Sequence, residues 1–157
     1  MTKFTQQKQV PYTSQQFYNL VMDVGKYPRF LPWCDEARVR DSLSIVDSAN
    51  GLVIADVKIG FGPFREALVA YVTPLPDAGD GRCSVQVEYE KGPFKQLQNY
   101  WVFVPREGGC TVNLSVEYEF NNILLQKTMG PLFNEAVSVM MNAFMKRAQV
   151  IYGGVKK

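Results

Sequence analysis

The C-terminal segment of the chain has the strongest helical periodicity, and it constrains what the rest of the chain must provide. Between residues 130 and 153, apolar side chains recur at steps of three and four, as on one face of an amphipathic helix. Pro131 suits a first helical turn and Gly153 suits a stop, so the pattern predicts one helix over 131–152, roughly 33 Å long. Its apolar face includes Phe133, Val137, Met140, Met141 and Phe144. A face this broad needs a partner surface of similar length.

The middle of the chain alternates apolar and polar residues, with the period of two that is typical of half-buried β-strands. The alternating runs are Val53–Phe61, Glu66–Thr73, Cys83–Glu90, Leu97–Pro105 and Val112–Phe120. Turn-forming residues separate the runs, and the alternating region from Ala37 to Phe120 is predicted to form about six strands in all. A polar strand over Thr2–Val10 brings the count to about seven. Because a sheet must cover its apolar face, we predict an α+β fold with a curved antiparallel sheet wrapped around the C-terminal helix. Residues 1–157 are predicted to form a single domain.

Two short helical elements are predicted between the first strand and the remaining strands. Thr13 or Ser14 caps a helix that Gly25 ends. The next segment, residues 26–36, has two prolines four residues apart and permits at most one short helical turn. Its aromatic residues, which include Phe30 and Trp33, either close one end of the core or form the lip of a pocket.

Several kinds of chemistry lack their usual residues in this sequence. The chain contains no histidine, which removes Ser-His and Cys-His nucleophile pairs and the commonest general base. The three cysteines, Cys34, Cys83 and Cys110, have no CxxC spacing, and we interpret them as reduced structural thiols. No glycine-rich phosphate-binding motif occurs. We therefore expect a protein that is not an enzyme, holds no metal and requires no cofactor.

Charge and hydropathy are those of an ordinary globular protein. Of 157 residues, 46% are hydrophobic and 20% are charged, and a net charge of +2 gives no reason to expect DNA as a partner. No apolar run approaches the ~20 residues of a membrane span, and the first residues do not resemble a secretory signal. These features predict a cytoplasmic protein that lies at most peripherally at the inner membrane.

The charged residues form two candidate sets. Alternation places four glutamates opposite the apolar faces of their strands, so we interpret them as solvated: Glu88, Glu90, Glu117 and Glu119. A basic rim near the predicted turns consists of Arg65, Lys91 and Lys95. Together with Lys26 and Arg29, this rim could meet anionic lipid head groups or a ribosomal surface. The alternative is a scattered set of solvated cations.

Aromatic residues make up 13% of the chain, and methionines concentrate near the C-terminal helix. Such residues usually fill a core, but a concave sheet closed by one helix can also leave an apolar cavity for a small hydrophobic ligand. The pattern leaves both alternatives open. A cyclase-like enzyme is a third alternative and would need a buried titratable group. The candidates for that group are Tyr71, Tyr89 and Tyr118, which we predict to face inward.

Several stretches of the chain, taken together, resemble the coenzyme Q-binding protein family of the START and polyketide-cyclase superfamily. They are YTSQQFYNL (12–20), YPRFLPWC (27–34), KGPFKQLQNYWVFVP (91–105), VEYEF (116–120) and AFMKRAQVIYG (143–153). The resemblance extends from about residue 3 to residue 153. The second and third stretches are specific in combination, whereas alternating strands occur in many folds.

The resemblance implies a helix-grip fold with a hydrophobic tunnel that binds coenzyme Q (ubiquinone) or a related polyisoprenoid lipid in support of respiratory electron transfer. Bacterial members are also labelled ribosome-association toxins that bind the large subunit and block subunit joining, which is the alternative function. The absence of a mitochondrial transit peptide fits a bacterial member. Taking the inward faces from the alternation, we predict as tunnel residues Phe30, Trp33, Val57, Phe61, Tyr71, Val87, Trp101, Phe103, Val116, Phe133, Val137, Met140, Met141 and Phe144.

Overall fold

The computed structural model describes residues 2–40, 51–75 and 79–153. In chain order these residues form β1 (Thr2–Val10), α1 (Ser14–Met22), a 3-10 helix (Val24–Arg29), β2 (Cys34–Val39), β3 (Val53–Phe61), β4 (Phe64–Leu75), β5 (Cys83–Glu90), β6 (Phe94–Arg106), β7 (Gly109–Phe120), α2 (Ile123–Ser138) and α3 (Met140–Tyr152). The predicted α+β class is confirmed, since a curved antiparallel sheet of seven strands precedes a long C-terminal helical segment.

The seven strands form one sheet in the order β1-β7-β6-β5-β4-β3-β2. Strands β2 to β7 are neighbours in chain order, because antiparallel strands can be joined by tight turns. Strand β1 pairs instead with β7, with Thr2 opposite Tyr118 and Val10 opposite Cys110. Helix α1 and the 3-10 helix therefore carry the chain from one edge of the sheet to the other.

The alternation of apolar and polar residues along the strands decides which face of the sheet packs against the helices. On β7, every second residue from Cys110 to Phe120 is buried, and the residues between them stay partly exposed. The register shifts between Cys34 and Glu36 in β2 and between Phe94 and Gln96 in β6. Such irregularities bend a strand and increase its twist, which helps the sheet to curve around the helices.

The first helix begins at the predicted position but ends earlier than predicted. Thr13 caps it, because the Thr13 hydroxyl accepts a hydrogen bond from the Gln16 N–H and the Gln16 side chain accepts one from the Thr13 N–H. The prediction that Gly25 ends this helix is wrong. Asp23 leaves helical geometry directly after Met22, and Gly25 lies within the 3-10 helix that follows.

The C-terminal helical segment is longer than predicted, and it is interrupted. It begins at Ile123, where the Asn122 side chain accepts a hydrogen bond from the Leu125 N–H, so Pro131 lies inside α2 and not in its first turn. The periodicity missed this first part because Ile123 is 71% exposed and does not continue the apolar face. Val139 separates α2 from α3, so the prediction of one helix over 131–152 is wrong. Within the described residues, no helix is long and apolar enough to cross a membrane.

Two groups of aromatic rings hold these helices on the concave face of the sheet. Phe133 of α2 contacts four rings at centroid distances of 4.8–6.0 Å, those of Phe61, Phe94, Tyr118 and Phe120. Phe144 of α3 contacts three rings at 4.9–5.4 Å, those of Tyr27, Phe30 and Trp101. Edge-to-face contacts of this kind stabilise the packing beyond the effect of apolar burial, so each helix has its own anchor.

Candidate functional site

An apolar cavity lies between the concave face of the sheet and the junction of α2 with α3. Its volume is about 30 Å³. Twelve residues line it: Trp33, Ile59, Phe61, Leu68, Tyr89, Leu97, Asn99, Val116, Phe133, Ala136, Val137 and Met140. A space of this size holds one or two water molecules at most, so the cavity in this state is a gap in the core and not yet a ligand site.

Five strands and two helices contribute side chains to the cavity. The two-residue period of the strands and the three- and four-residue steps of the helices explain which side chains reach it. Residues two apart on a strand point to the same face, as Leu97 and Asn99 do on β6. On α2, Phe133, Ala136 and Val137 follow steps of three and four, and Met140 continues the same line across the interruption at Val139. The cavity therefore forms where the apolar faces of the sheet and of both helices meet.

Asn99 and Tyr89 are the two lining residues with a hydrogen-bonding side chain other than the Trp33 indole. Asn99 is only 5% exposed, and within the described residues its amide makes no side-chain hydrogen bond. Burial raises the pKa of Tyr89 far above its ordinary value, with a smaller contribution from Cys34. The Tyr89 phenol is therefore neutral at physiological pH and can donate a hydrogen bond, but it cannot act as a base.

Six of the predicted tunnel residues line this cavity: Trp33, Phe61, Val116, Phe133, Val137 and Met140. They come from separate parts of the chain, and the curvature of the sheet brings them together. Their inward orientation follows the alternation on β3 and β7 and the helical period on α2. Whether they bind a ligand stays a prediction.

Six other predicted tunnel residues are buried in the core without lining the cavity. They are Val57, Val87, Trp101, Phe103, Met141 and Phe144, each at most 3% exposed. The ring centroids of Phe144 and Trp101 lie 4.9 Å apart, so these two side chains pack directly against each other at their part of the sheet–helix interface. Phe30 lies outside this core, half-buried, where its ring packs against Phe144.

Tyr71 is the predicted tunnel residue whose orientation is wrong. On β4 the fully buried residues are Ala70 and Val72, so Tyr71 between them lies on the opposite, convex face of the sheet. There its pKa is raised mainly by a hydrogen bond to Glu90. The run over β4 is apolar on both faces, because Val69 is also buried, and period two therefore gave no way to choose between them.

Six lining residues were not among the predicted tunnel residues: Ile59, Leu68, Tyr89, Leu97, Asn99 and Ala136. Alternation already placed Ile59 and Tyr89 on inward faces, so the signal for those two was present. Leu68 is on the face of β4 that was assigned outward. Leu97 and Asn99 are spaced by two from Trp101, which was predicted to face inward, so the period placed them on the inward face as well. Asn99 was passed over because a polar residue within a strand is usually solvated.

A surface groove of about 380 Å³ lies directly outside the cavity. We call it the mouth groove. Its lining includes Pro32, Gly62, Leu132 and Val139, and it shares Trp33, Phe61 and Ala136 with the cavity. These three shared side chains are therefore the wall between the cavity and solvent. The β3–β4 turn approaches α2 closely here, since a Cβ on Gly62 would lie 2.6 Å from Leu132 Cδ1.

The predicted basic rim lies at the same end of the sheet but is largely engaged in local contacts. Arg65 donates hydrogen bonds to the Gly62 and Phe64 carbonyls, and its Nε lies 3.5 Å from Asp35 Oδ2. Lys95 lies 3.7 Å from Glu119 Oε2. Lys91 occupies the β5–β6 turn with a φ of 71°. Arg65 in particular braces the β3–β4 turn beside the mouth groove.

The described residues contain no group of histidine, cysteine or acidic side chains that could hold a metal ion. Cys34, Cys83 and Cys110 are buried free thiols. Burial raises the pKa of the Cys34 thiol to about 12 and that of the Cys110 thiol to about 11. These two thiols are therefore protonated and unreactive at physiological pH.

Comparison with known proteins places the chain in a family. Residues 10–145 match the family described as "Polyketide cyclase / dehydrase and lipid transport". The chain is 30% identical over 145 residues to the protein of Pseudomonas aeruginosa named "Ribosome association toxin RatA", an alignment that covers 92% of this chain and 93% of that one. It is 29% identical to "Coenzyme Q-binding protein COQ10 homolog B, mitochondrial" of Xenopus laevis, covering 96% of this chain and 59% of that one.

Solved structures share the architecture at lower sequence identity. A START superfamily protein from Mycobacterium smegmatis superposes with a TM-score of 0.74 at 10% identity, covering 95% of this chain and 98% of that one. The ZhuI aromatase/cyclase from a Streptomyces species superposes with a TM-score of 0.75, also at 10% identity, covering 98% and 99%. These likenesses concern the fold, and they confirm the predicted START-like helix-grip architecture. Together with the sequence match over residues 10–145, they show that the chain belongs to the polyketide cyclase/START-like family.

Proposed function

We propose that the protein binds coenzyme Q (ubiquinone) or a related polyisoprenoid lipid without converting it, and so supports respiratory electron transport from the cytoplasmic side of the membrane. The observation that carries the proposal is the apolar cavity between the sheet and the α2–α3 junction, where Asn99 and Tyr89 are almost the only hydrogen-bonding groups. An apolar lining with a few polar groups is the usual composition of a site for a small hydrophobic ligand. The relative named as a coenzyme Q-binding protein supports the same ligand class.

Binding requires the cavity to open. A drug-sized ligand occupies a pocket of roughly 300 Å³ or more, whereas the cavity measures about 30 Å³. The adjacent mouth groove supplies space of the required order, about 380 Å³, behind a wall of three side chains. We infer that a ligand enters by displacing Trp33 and Phe61 from Ala136, so that the groove and the cavity merge. Burial of its apolar surface, at roughly 25 cal/mol per Å², supplies the affinity.

The polar residues of the cavity fit binding better than chemistry. The Asn99 amide can donate a hydrogen bond to a quinone carbonyl, and so can the neutral phenol of Tyr89. Neither group is a base at physiological pH, and the sequence has no histidine to supply one. Cyclases occur among proteins of similar fold, but at 10% identity that likeness concerns the fold alone.

The direct test is organic extraction of protein purified rapidly from its native host, followed by mass spectrometry. We expect a quinone or another isoprenoid lipid in a reproducible molar ratio to protein. Reproducible recovery of protein with no stoichiometric isoprenoid would overturn the proposal.

A cavity-filling variant tests the location of the site. Ala136→Phe places a large ring between the cavity and the mouth groove and is expected to reduce bound lipid at least about tenfold, because the bulk blocks the wall that must open. Ala37→Phe is the matched control, since Ala37 is also half-buried against the core but lines neither the cavity nor the two grooves. Lipid content would be measured by extraction from both variants. Equal loss in the two variants would place the site elsewhere.

A second candidate function is binding to the large ribosomal subunit so that subunit association is blocked. It is favoured by the relative named "Ribosome association toxin RatA", which aligns with nearly the whole chain. The test is co-sedimentation with purified large subunits in sucrose gradients, using wild type and the Arg65→Glu/Lys91→Glu/Lys95→Glu variant of the predicted rim. Binding that depends on the rim supports this function, and absence of binding at low salt argues against it.

A further inference from the structure

A second surface groove, on the outer side of α3, combines cations with exposed aliphatic side chains. We call it the basic groove. It lies between the 3-10 helix region and α3, and its lining includes Arg29, Phe30, Val139, Lys146, Arg147 and Val150. It differs from the cavity in facing solvent, and none of the predicted rim residues lines it.

The cations of the basic groove are not neutralised by neighbours. The salt bridges between described residues involve Arg40, Lys58, Arg65 and Lys95, so Arg29, Lys146 and Arg147 form none. No carboxylate is among the residues that line the groove. The guanidinium of Arg147 lies 5.5 Å from the centre of the Phe30 ring, a cation–π contact that holds it at the groove. The site therefore presents a concentrated positive potential.

Aliphatic side chains beside these cations are unusually exposed. Val150 is 74% exposed, Ile151 48% and Val139 42%. Val150 lies one helical turn from both Lys146 and Arg147, so one face of α3 carries apolar and basic residues together. A helix face with this composition is typical of segments that lie in the interface of an anionic membrane.

We propose that the basic groove is a docking surface for the anionic surface of a lipid bilayer. The cations pair with lipid phosphates while Val150 and Ile151 insert among the head groups. A nucleic-acid backbone would pair with the cations but would not bury these two aliphatic side chains. The cations of the basic groove form no salt bridge with another described residue, whereas Arg40, Lys58 and Lys95 on the sheet are paired with acidic side chains, so the α3 side has the cations free to meet an anionic surface.

Docking in this orientation would place the mouth groove at the bilayer. Pro32 and Val139 line both the basic groove and the mouth groove, so the two are continuous. A lipid leaving the membrane would then reach the wall of the cavity without crossing open water. Transfer of a lipid to the cavity depends on the proposed function, whereas docking of the basic groove on the bilayer does not.

The test is co-sedimentation of the full chain with vesicles of phosphatidylcholine alone and of phosphatidylcholine mixed with phosphatidylglycerol. We expect binding to the anionic vesicles that weakens with added salt. Lys146→Gln/Arg147→Gln is expected to bind roughly 30-fold more weakly, since each cation near such a surface contributes about a fivefold gain. Val150→Ser is expected to bind several-fold more weakly without changing the dependence on salt. Lys91→Gln/Lys95→Gln, which removes as many charges from the rim, is the matched control.

The outcomes separate this proposal from the lipid-binding function. If Lys146→Gln/Arg147→Gln retains its extracted lipid but loses vesicle binding, both proposals stand. If wild type binds vesicles but yields no lipid on extraction, the docking surface stands and the proposed function falls. Equal vesicle binding by Lys146→Gln/Arg147→Gln and the rim control overturns the docking surface. The docking surface is also overturned if wild type does not bind vesicles and Lys146→Gln/Arg147→Gln, but not the rim control, loses binding to ribosomal subunits.

Discussion

At the scale of single residues, Asn99 is the polar side chain that interrupts the apolar lining of the cavity on β6. It lies on β6 between Val87 of β5 and Val116 of β7, on the face that packs against the helices. Its amide borders the cavity, whereas the fully buried side-chain atom without a hydrogen-bond partner in the described residues is Gln6 Oε1. A polar side chain in an otherwise apolar lining is positioned to hydrogen-bond a polar group of the ligand that the proposed function requires.

The Asn99→Leu variant tests this role. We expect its free energy of unfolding to change by less than about 1 kcal/mol, because leucine has a similar shape and suits the apolar lining of the cavity. Its binding of a quinone should weaken by roughly tenfold through the loss of one hydrogen bond, whereas its binding of an isoprenoid hydrocarbon should not. Urea denaturation and titration with both ligands provide the measurements. A destabilised variant would show that Asn99 has a structural role, contrary to this interpretation.

At the scale of elements, the β6–β7 turn positions the edge strand β1. Gly109 begins β7, and a Cβ there would lie 1.9 Å from the Val10 carbonyl oxygen, so only glycine allows β1 to end against this turn. The neighbouring Gly108 has a φ of 83° but no atom within 4 Å of its ideal Cβ. Two adjacent glycines are therefore needed for different reasons, one for space and one for backbone conformation.

These two glycines form a matched pair for mutation. Gly109→Ala is expected to destabilise the fold by about 3 kcal/mol, because the end of β1 must move. Gly108→Ala is expected to destabilise it by about 1 kcal/mol, the penalty for an L-residue at positive φ. Thermal or urea unfolding measures both changes, and hydrogen exchange would locate the larger loss of protection in β1. Similar losses in both variants would contradict the steric explanation.

At the scale of the whole molecule, buried thiols and phenols make the fold sensitive to alkali. The folded state raises the pKa of Cys34 from 9.0 to about 12 and that of Cys110 from 9.0 to about 11. Burial also raises the pKa values of Tyr27 and Tyr89. Well below pH 9.0, the folded and unfolded chains hold the same protons at these thiols. Above it, the unfolded chain loses protons that the folded chain keeps, so the unfolded state is favoured.

We therefore expect the free energy of unfolding to fall progressively as the pH rises from 9.0 towards about 12. The sequence has no histidine, so no imidazole contributes to a pH dependence near neutrality. Urea denaturation across this range measures the slope, and Cys34→Ala should reduce it because one of the shifted groups is gone. A stability that stays constant up to the folded pKa of the thiols would contradict their assigned burial.

The sequence was sufficient for those parts of the fold where one period was clear. On β7 alternation gave the inward face correctly at Val112, Val116 and Tyr118, because the polar residues between them cannot be buried cheaply. On β4 it failed at Tyr71, because both faces of that strand are apolar and period two carries no direction there. The start of α2 was missed for a related reason, since exposed Ile123 does not mark the buried face.

The sequence by itself determined the α+β class, most strands along the chain and the apolar face of the C-terminal segment, since these depend on local periods that each element satisfies alone. The pairing of β1 with β7 came only from the tertiary structure. Only the tertiary structure decided which buried side chains surround the cavity and which fill the core. Met140 lines the cavity and Met141 does not, although they are neighbours with the same chemistry. That difference depends on where the curved sheet and the two helices meet, which is set by packing between residues from distant parts of the chain and leaves no periodic signal.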